Sequence, residues 1–206
     1  MAGTFPTAGF TALDLQSNSI SRVSESVSGK TQRIKLGAQF WTFKLKSPPL
    51  NRTDFNALYS FIVQQDGQYE SFVVVPPVIS STTGTMSGTV TCSENTNATT
   101  GPGAGSKKIA ITDDGSTATG TLKKGDVIKF SNHDKVYMVT EDFELNGDSS
   151  LAELAFYPPL TTAVTSSTTI QYNSVPFTVF FDRDDQKYTL QADGFYRYEL
   201  SVREDV

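Results

Sequence analysis

The sequence predicts a mostly-β protein with one packed α-helix. Three observations carry that expectation. Thr, Ser, Val and Phe are plentiful in the 206-residue chain, a mix that favours strands and turns over helices. Short segments of alternating polarity, bounded by Gly, Pro and Asn/Asp turns, recur from one end to the other. A helical spacing of apolar residues stands out in one stretch, about 52–65.

Residues 1–30 are rich in Ser, Thr and Gly, and their short alternating pieces fit a β-hairpin or an extended arm. In 31–47, "TQRIKLGAQFWTFKLKS", Ile34, Leu36, Phe40, Thr42 and Lys44 fall on one parity. Trp41, Phe43 and Leu45 fall on the other, and Gly37 sits where the apolar parity changes, as a β-bulge would place it. Pro48-Pro49 stops that strand.

The helix follows. Asn51 is its cap and Asp54 sits in the first turn, where the helix dipole favours a negative charge. Phe55, Leu58, Tyr59 and Ile62 recur at i, i+3, i+4 and i+7, forming one apolar stripe. Asp66-Gly67 ends the helix, the glycine supplying a left-handed turn. "YESFVVVPP" then reads as a buried strand, completing a compact β-α-β unit.

After residue 78 the composition shifts to Ser, Thr and Gly, which marks a domain boundary. A short strand near Thr89–Ser93 comes first. "KKIAITDDG", "LKKGDVIKFSNHDKVYMVTEDFEL", "LAELAFYPPL" and "TTIQYN" follow as short strands with close turns, the pattern of a small barrel or sandwich. From 174 the long aromatic strands return, ending in "FYRYELSVRED". The expected organisation is therefore a discontinuous β-sandwich domain, 1–77 plus 174–206. An inserted small β-barrel of OB-like or similar type would occupy 78–173.

The chemistry-bearing residues are sparse. Net charge is −5 with no basic cluster, which speaks against specific nucleic-acid binding through phosphates. Cys92 is the single cysteine, so no disulfide forms within the chain, and its Val/Thr strand reads as a small buried apolar site. His133 is the single histidine. It lies in the polar turn "SNHDK" and reads as a surface-turn residue; a Ser–His–acid triad with Asp134 or Asp142 is the competing reading.

The carboxylate clusters Asp113-Asp114, Asp182/Asp184/Asp185 and Asp193 read as solvated turns. "DRDDQ" lacks the bend glycine and closing Glu of a calcium loop. "GPGAGSKK" does not keep the phosphate-loop spacing and reads as a flexible loop. No residue is nominated as catalytic, cofactor-binding or metal-binding, and no enzyme activity or cofactor is expected. The opening MAGTFPTAGF has no basic n-region or apolar h-region, and no apolar run approaches the ~18 residues of a membrane span. The expectation is synthesis in a cytoplasm, with the sequons at Asn51–Thr53 and Asn97–Thr99 occurring by chance.

The run "FWTFKLKSPPLNRTDFNALYSFIVQQDGQYESFVVVPP" resembles the minor tail protein family of long-tailed bacteriophages typified by phage lambda protein M, and through it the distal tail proteins. Leu58, Phe61 and Gly67 take the helix places of that pattern. Ser71-Phe72 and Pro76-Pro77 take the strand places, and the acidic end of the terminal strand matches as well. The insertion departs from the short members and is similar to the added barrels of some distal tail proteins.

The resemblance implies a structural virion protein: a distal tail ring, hexameric, joining the tail tube to the hub or tip complex. Its implied partners are copies of itself, the tube protein and the hub or tip protein. The tape measure protein, and a host-surface glycan held by the inserted domain, are further candidates. A head–tail connector or tail tube ring is the alternative within the class. A carbohydrate-binding module of a host-adhesion apparatus, with Tyr137, Tyr157 or Tyr172 as an exposed aromatic platform, is the alternative outside it. A hydrolase using Asp182, Asp184 and Asp185 is the last.

Overall fold

A computed structural model describes residues 3–6, 10, 12–93, 103–112, 118–147, 151–166, 168–191 and 193–206. Its first part runs β1 (Ala12–Asn18), β2 (Ser21–Glu25), β3 (Thr31–Lys35), β4 (Phe40–Lys46), α1 (Arg52–Gln64) and β5 (Phe72–Val74). The middle runs β6 (Ser87–Gly88), β7 (Val90–Thr91), β8 (Lys108–Thr112), β9 (Ala118–Leu122) and β10 (Val127–Phe130). It continues with β11 (Val136–Val139), β12 (Phe143–Leu145), β13 (Leu151–Tyr157) and β14 (Thr169–Gln171). The last part holds β15 (Phe177–Phe181), β16 (Tyr188–Leu190) and β17 (Tyr196–Glu204). The protein is mostly β, with a single helix among the described residues.

The chain divides into two compact units, Met1–Phe72 with Val179–Val206, and Val73–Thr178. The first is built on a sheet of order β1-β4-β17-β15-β5, antiparallel from β1 to β15, with β16 paired antiparallel to β17. In β4 the alternation is strict: Trp41, Phe43 and Leu45 are buried, whereas Lys44 and Lys46 are exposed. β17 alternates in step, since Leu200 pairs with Leu45 and Val202 with Phe43. This shared period of two gives the sheet one apolar and one polar face.

Helix α1 belongs to the same unit as the apolar face. Asn51 Oδ1 accepts the backbone N–H of Asp54 at 3.0 Å, and Asn51 Nδ2 donates to the Asp54 carboxylate at 2.7 Å. The cap expected from the sequence is therefore formed. Phe55, Leu58 and Ile62 are buried, each burial stabilising by roughly 1.5–3 kcal/mol. Leu58 lines a residual void of about 10 Å³ with Leu45, Leu200, Phe5 and Phe10, so the stripe packs almost without gaps. Phe55 stacks on Tyr196 at 4.3 Å between centroids.

Two strand expectations need correction. Residues 31–47 are not one bulged strand. The chain breaks at 36–39, so that β3 pairs with β2 and β4 pairs with β1 and β17. The strand after the helix is also shorter than "YESFVVVPP" suggests, reduced to Phe72–Val74. The cause is a latch at the helix end. Asp66 and Gly67 both have positive φ, and Gln68 donates its backbone N–H to Asp184 Oδ1 at 3.1 Å and its side-chain amide to the Asp182 carbonyl. Residues 65–71 are thereby spent on a loop, and Tyr69 is exposed.

The second unit is a nearly closed barrel. Its main sheet has the order β7-β14-β10-β11-β13-β8. A bridge between Cys92 and Ile111, with Ser93 N–H donating to the Ala110 carbonyl at 2.9 Å, joins the two ends. A further sheet, β12-β9-β6, belongs to the same unit. Phe130, Tyr137 and Phe156 meet edge to face near the centre, at 5.3–5.5 Å. Closure removes the exposed strand edges that a small sheet would otherwise present.

Candidate functional site

The isolated titratable groups are used internally. Cys92 is buried, and burial pushes its thiol up to about 12, which removes it as a nucleophile at neutral pH. His133 lies in the β10–β11 turn, as expected, yet its ring is held. Nδ1 lies 2.7 Å from Asn132 Oδ1, which can only accept, and Nε2 lies 2.7 Å from the Tyr137 hydroxyl. Nδ1 therefore carries a proton, and the Tyr137 hydroxyl that meets Nε2 also accepts the Thr161 N–H at 3.1 Å. Burial and the Lys129 charge hold its pKa down, against the pull of Asp134. Asp134 bonds Lys129 and Asp142 bonds Lys123, so neither carboxylate completes a triad.

The carboxylate turn at 182–185 is the partner of the helix latch just described, through Asp182 and Asp184, while Asp185 pairs with Lys187 at 3.3 Å. Asp113-Asp114, the sequon at Asn97–Thr99 and the start of the Gly-rich loop lie outside the described residues. The other sequon asparagine, Asn51, is the helix cap. No group of three or more His, Cys, Asp or Glu residues is arranged to hold a metal among the described residues. No helix is long and apolar enough to cross a membrane.

The aromatic platform does not exist. Tyr137 and Tyr172 are buried and Tyr157 is half-buried. The Tyr172 hydroxyl donates to the Gly88 carbonyl at 2.6 Å. These rings brace the barrel interior, because a phenol can fill apolar space while its hydroxyl finds a partner.

What remains are surfaces, and those of the first unit carry most of the exposed large apolar residues. The polar face of its sheet presents Asp14 and Gln16 from β1, Thr42, Lys44 and Lys46 from β4, and Glu199, Ser201 and Arg203 from β17. Lys46 and Glu199 pair at 3.6 Å, and the Arg203 guanidinium lies 3.9 Å over the Phe40 ring. Beside β16 this face opens into a cleft of about 640 Å³ with charges of both signs. The β2–β3 ribbon is exposed along its whole length, residues 19–36. The β16–β17 hairpin carries exposed Tyr188, Leu190 and Phe195. No strand covers the outer edge of β1 or of β5 among the described residues.

Sequence reasoning missed the strongest polar knot. Asp126, only 3% exposed, accepts the Thr82 hydroxyl, the Thr83 N–H and hydroxyl at 2.9 and 2.8 Å, and the Lys123 N–H at 2.8 Å. The "KKGD" turn was a visible signal, but its partner "TTG" is about 40 residues earlier in the chain.

A sheet with open edges, a lone helix and an interrupting barrel, with internally paired titratable groups, make up a scaffold built for contacts. Comparison with known proteins supports a structural distal tail protein of a tailed bacteriophage, a component of the virion tail. Residues 88–175 match the family model described as distal tail protein pb9, B domain. The chain is 26% identical over 204 residues to distal tail protein pb9 of Escherichia phage T5, covering 98% of this chain and 95% of that protein.

Proposed function

We propose that the protein forms a hexameric ring at the distal end of the tail, joining the tail tube to the hub or tip complex, and that it does so without catalysis. The observation that carries this reading is the similarity to a distal tail protein along nearly the whole chain, barrel included. The open sheet supports it. Exposed edges at β1 and β5 invite pairing, and contacts between unlike surfaces of identical chains close into rings when the rotation permits. In this reading the discontinuous domain (1–77 with 174–206) builds the ring. The partners are the tube protein, the hub or tip protein and, along the axis, the tape measure protein. An acidic chain also suits a channel through which DNA slides without sticking.

The mass of the purified protein in solution, with negative-stain images of the same sample, tests the reading. A sixfold ring is the expected result. A monodisperse monomer that yields no ring at any concentration counts against it.

A further inference from the structure

β15 and β16 both pair with β17, but not in one register. Phe181 lies opposite Val202 and Tyr188 opposite Tyr198, so residues 182–187 span only the positions 199–201 of β17. A strand with residues to spare arches. The arch is braced: Asp182 N–H donates to the Ser201 carbonyl at 3.0 Å, the Tyr198 hydroxyl donates to Gln186 Oε1 at 2.6 Å, and Gln186 Nε2 donates to the Arg183 carbonyl at 2.7 Å. The arch, β4, β16 and β17 are the walls of the 640 Å³ cleft, and every lining residue belongs to the first unit.

The charges of the cleft are unevenly matched. Lys46 pairs with Glu199 at 3.6 Å and Lys187 with Asp185 at 3.3 Å. Lys44, Arg183 and Arg197 are left facing Asp182 alone. Among the described residues none of these three cations makes an ion pair. Arg197 Nε donates to the neutral Gln191 Oε1 at 3.1 Å, and Asp14, opposite Lys44 on β1, forms no ion pair with it. The cleft thus holds a surplus of positive charge in a chain whose net charge is −5.

We propose that this cleft seats an acidic, extended segment of a polypeptide of different sequence, with carboxylates on Lys44, Arg183 and Arg197. Complementary charge selects such a partner and speeds its arrival. Lys44 and Lys46 stand one strand period apart, roughly 7 Å, a spacing that acids at alternate positions of an extended segment match. Asp182, Asp185 and Glu199 in the same walls repel a phosphate chain, whereas a peptide brings N–H groups that carboxylates accept. The braced arch is formed in the free chain, so little ordering is left for binding to cost. The inference does not depend on the sixfold ring.

The test uses the full chain and a short labelled peptide of alternating Glu and Ser, with Gln in place of Glu in the control, read by fluorescence anisotropy. The Glu peptide is expected to bind about tenfold or more tightly than the control, and less tightly as salt rises. Lys44→Ala with Arg183→Ala, both at exposed positions, is expected to remove that preference with unchanged circular dichroism. Glu199→Gln, which frees Lys46, is expected to tighten binding, an effect that a merely structural role would not produce. Equal binding of the two peptides, or a preference that survives the double alanine variant, overturns the proposal. A single-stranded oligonucleotide that binds more tightly than the Glu peptide and is lost in the same variant makes the cleft a nucleic-acid contact and overturns it. Loss of self-association in that variant, by sedimentation, assigns the cleft to a contact between copies and overturns it as well; absence of rings with the peptide preference intact removes the ring alone.

Discussion

Asp126 shows how much one side chain can organise. Burial is the largest single influence and on its own would raise its pKa, but the hydrogen bonds from Thr82, Lys123 and Thr83 together outweigh it and hold the carboxyl below its ordinary value. The ionised form is thus favoured by folding. Its stabilisation is complete above the unfolded carboxylate range near ~4 and fades as pH falls through the lower folded value. Asp126→Asn is expected to lower the midpoint of thermal unfolding at pH 7 and to flatten its decline between about pH 5 and pH 2, where carboxylates of this kind titrate; scanning calorimetry across pH reads both. Gly84 is as constrained as Asp126 is bonded. A Cβ there would lie 1.9 Å from the Thr121 carbonyl oxygen, a backbone atom that cannot step aside. Gly84→Ala is expected to destabilise by about 3 kcal/mol or more, measured by urea titration.

Among the elements, the helix was the most legible in the sequence. Its cap, stripe and terminating glycine are local signals, and Asn51, Phe55, Leu58, Ile62 and Gly67 all act as their spacing implies. Asn51→Ala is expected to cost about 1 kcal/mol and Leu58→Ala about 2–5 kcal/mol, both read by denaturant unfolding. The strand bounds were less legible, because long-range partners set them. Nothing local to Tyr69 says that Asp182 and Asp184, more than 110 residues later, will hold Gln68 in a loop. The same holds for Gln65, which is fully buried beyond a stripe that ends at Ile62. Tyr137 and Tyr172, which the binding-module alternative would need as a platform, are buried in the barrel; aromatic residues in short strands look alike from the sequence whether they line a barrel or decorate it.

For the whole molecule, the division into two compact units predicts how it unfolds. Each unit has its own buried core, so two calorimetric transitions are expected in place of one cooperative event. Gly84→Ala and Asp126→Asn belong to the barrel and should move only one of the two; Leu58→Ala should move only the other. A single transition shifted by all three would show that the units unfold together. The candidate surfaces were only half legible. The alternation that makes the β2–β3 ribbon amphipathic was readable in Ile34 and Leu36. That the ribbon stands exposed as a two-stranded sheet of its own required the structure.

The bridge that closes the barrel has a practical corollary. Cys92 sits at the seam where the first and last strands of that sheet meet, silent while the seam is shut. Its sulfur is therefore a built-in clock for breathing of the barrel. The rate at which a small alkylating reagent finds it counts openings of this unit, in a free subunit or in an assembled tail, without a label being added.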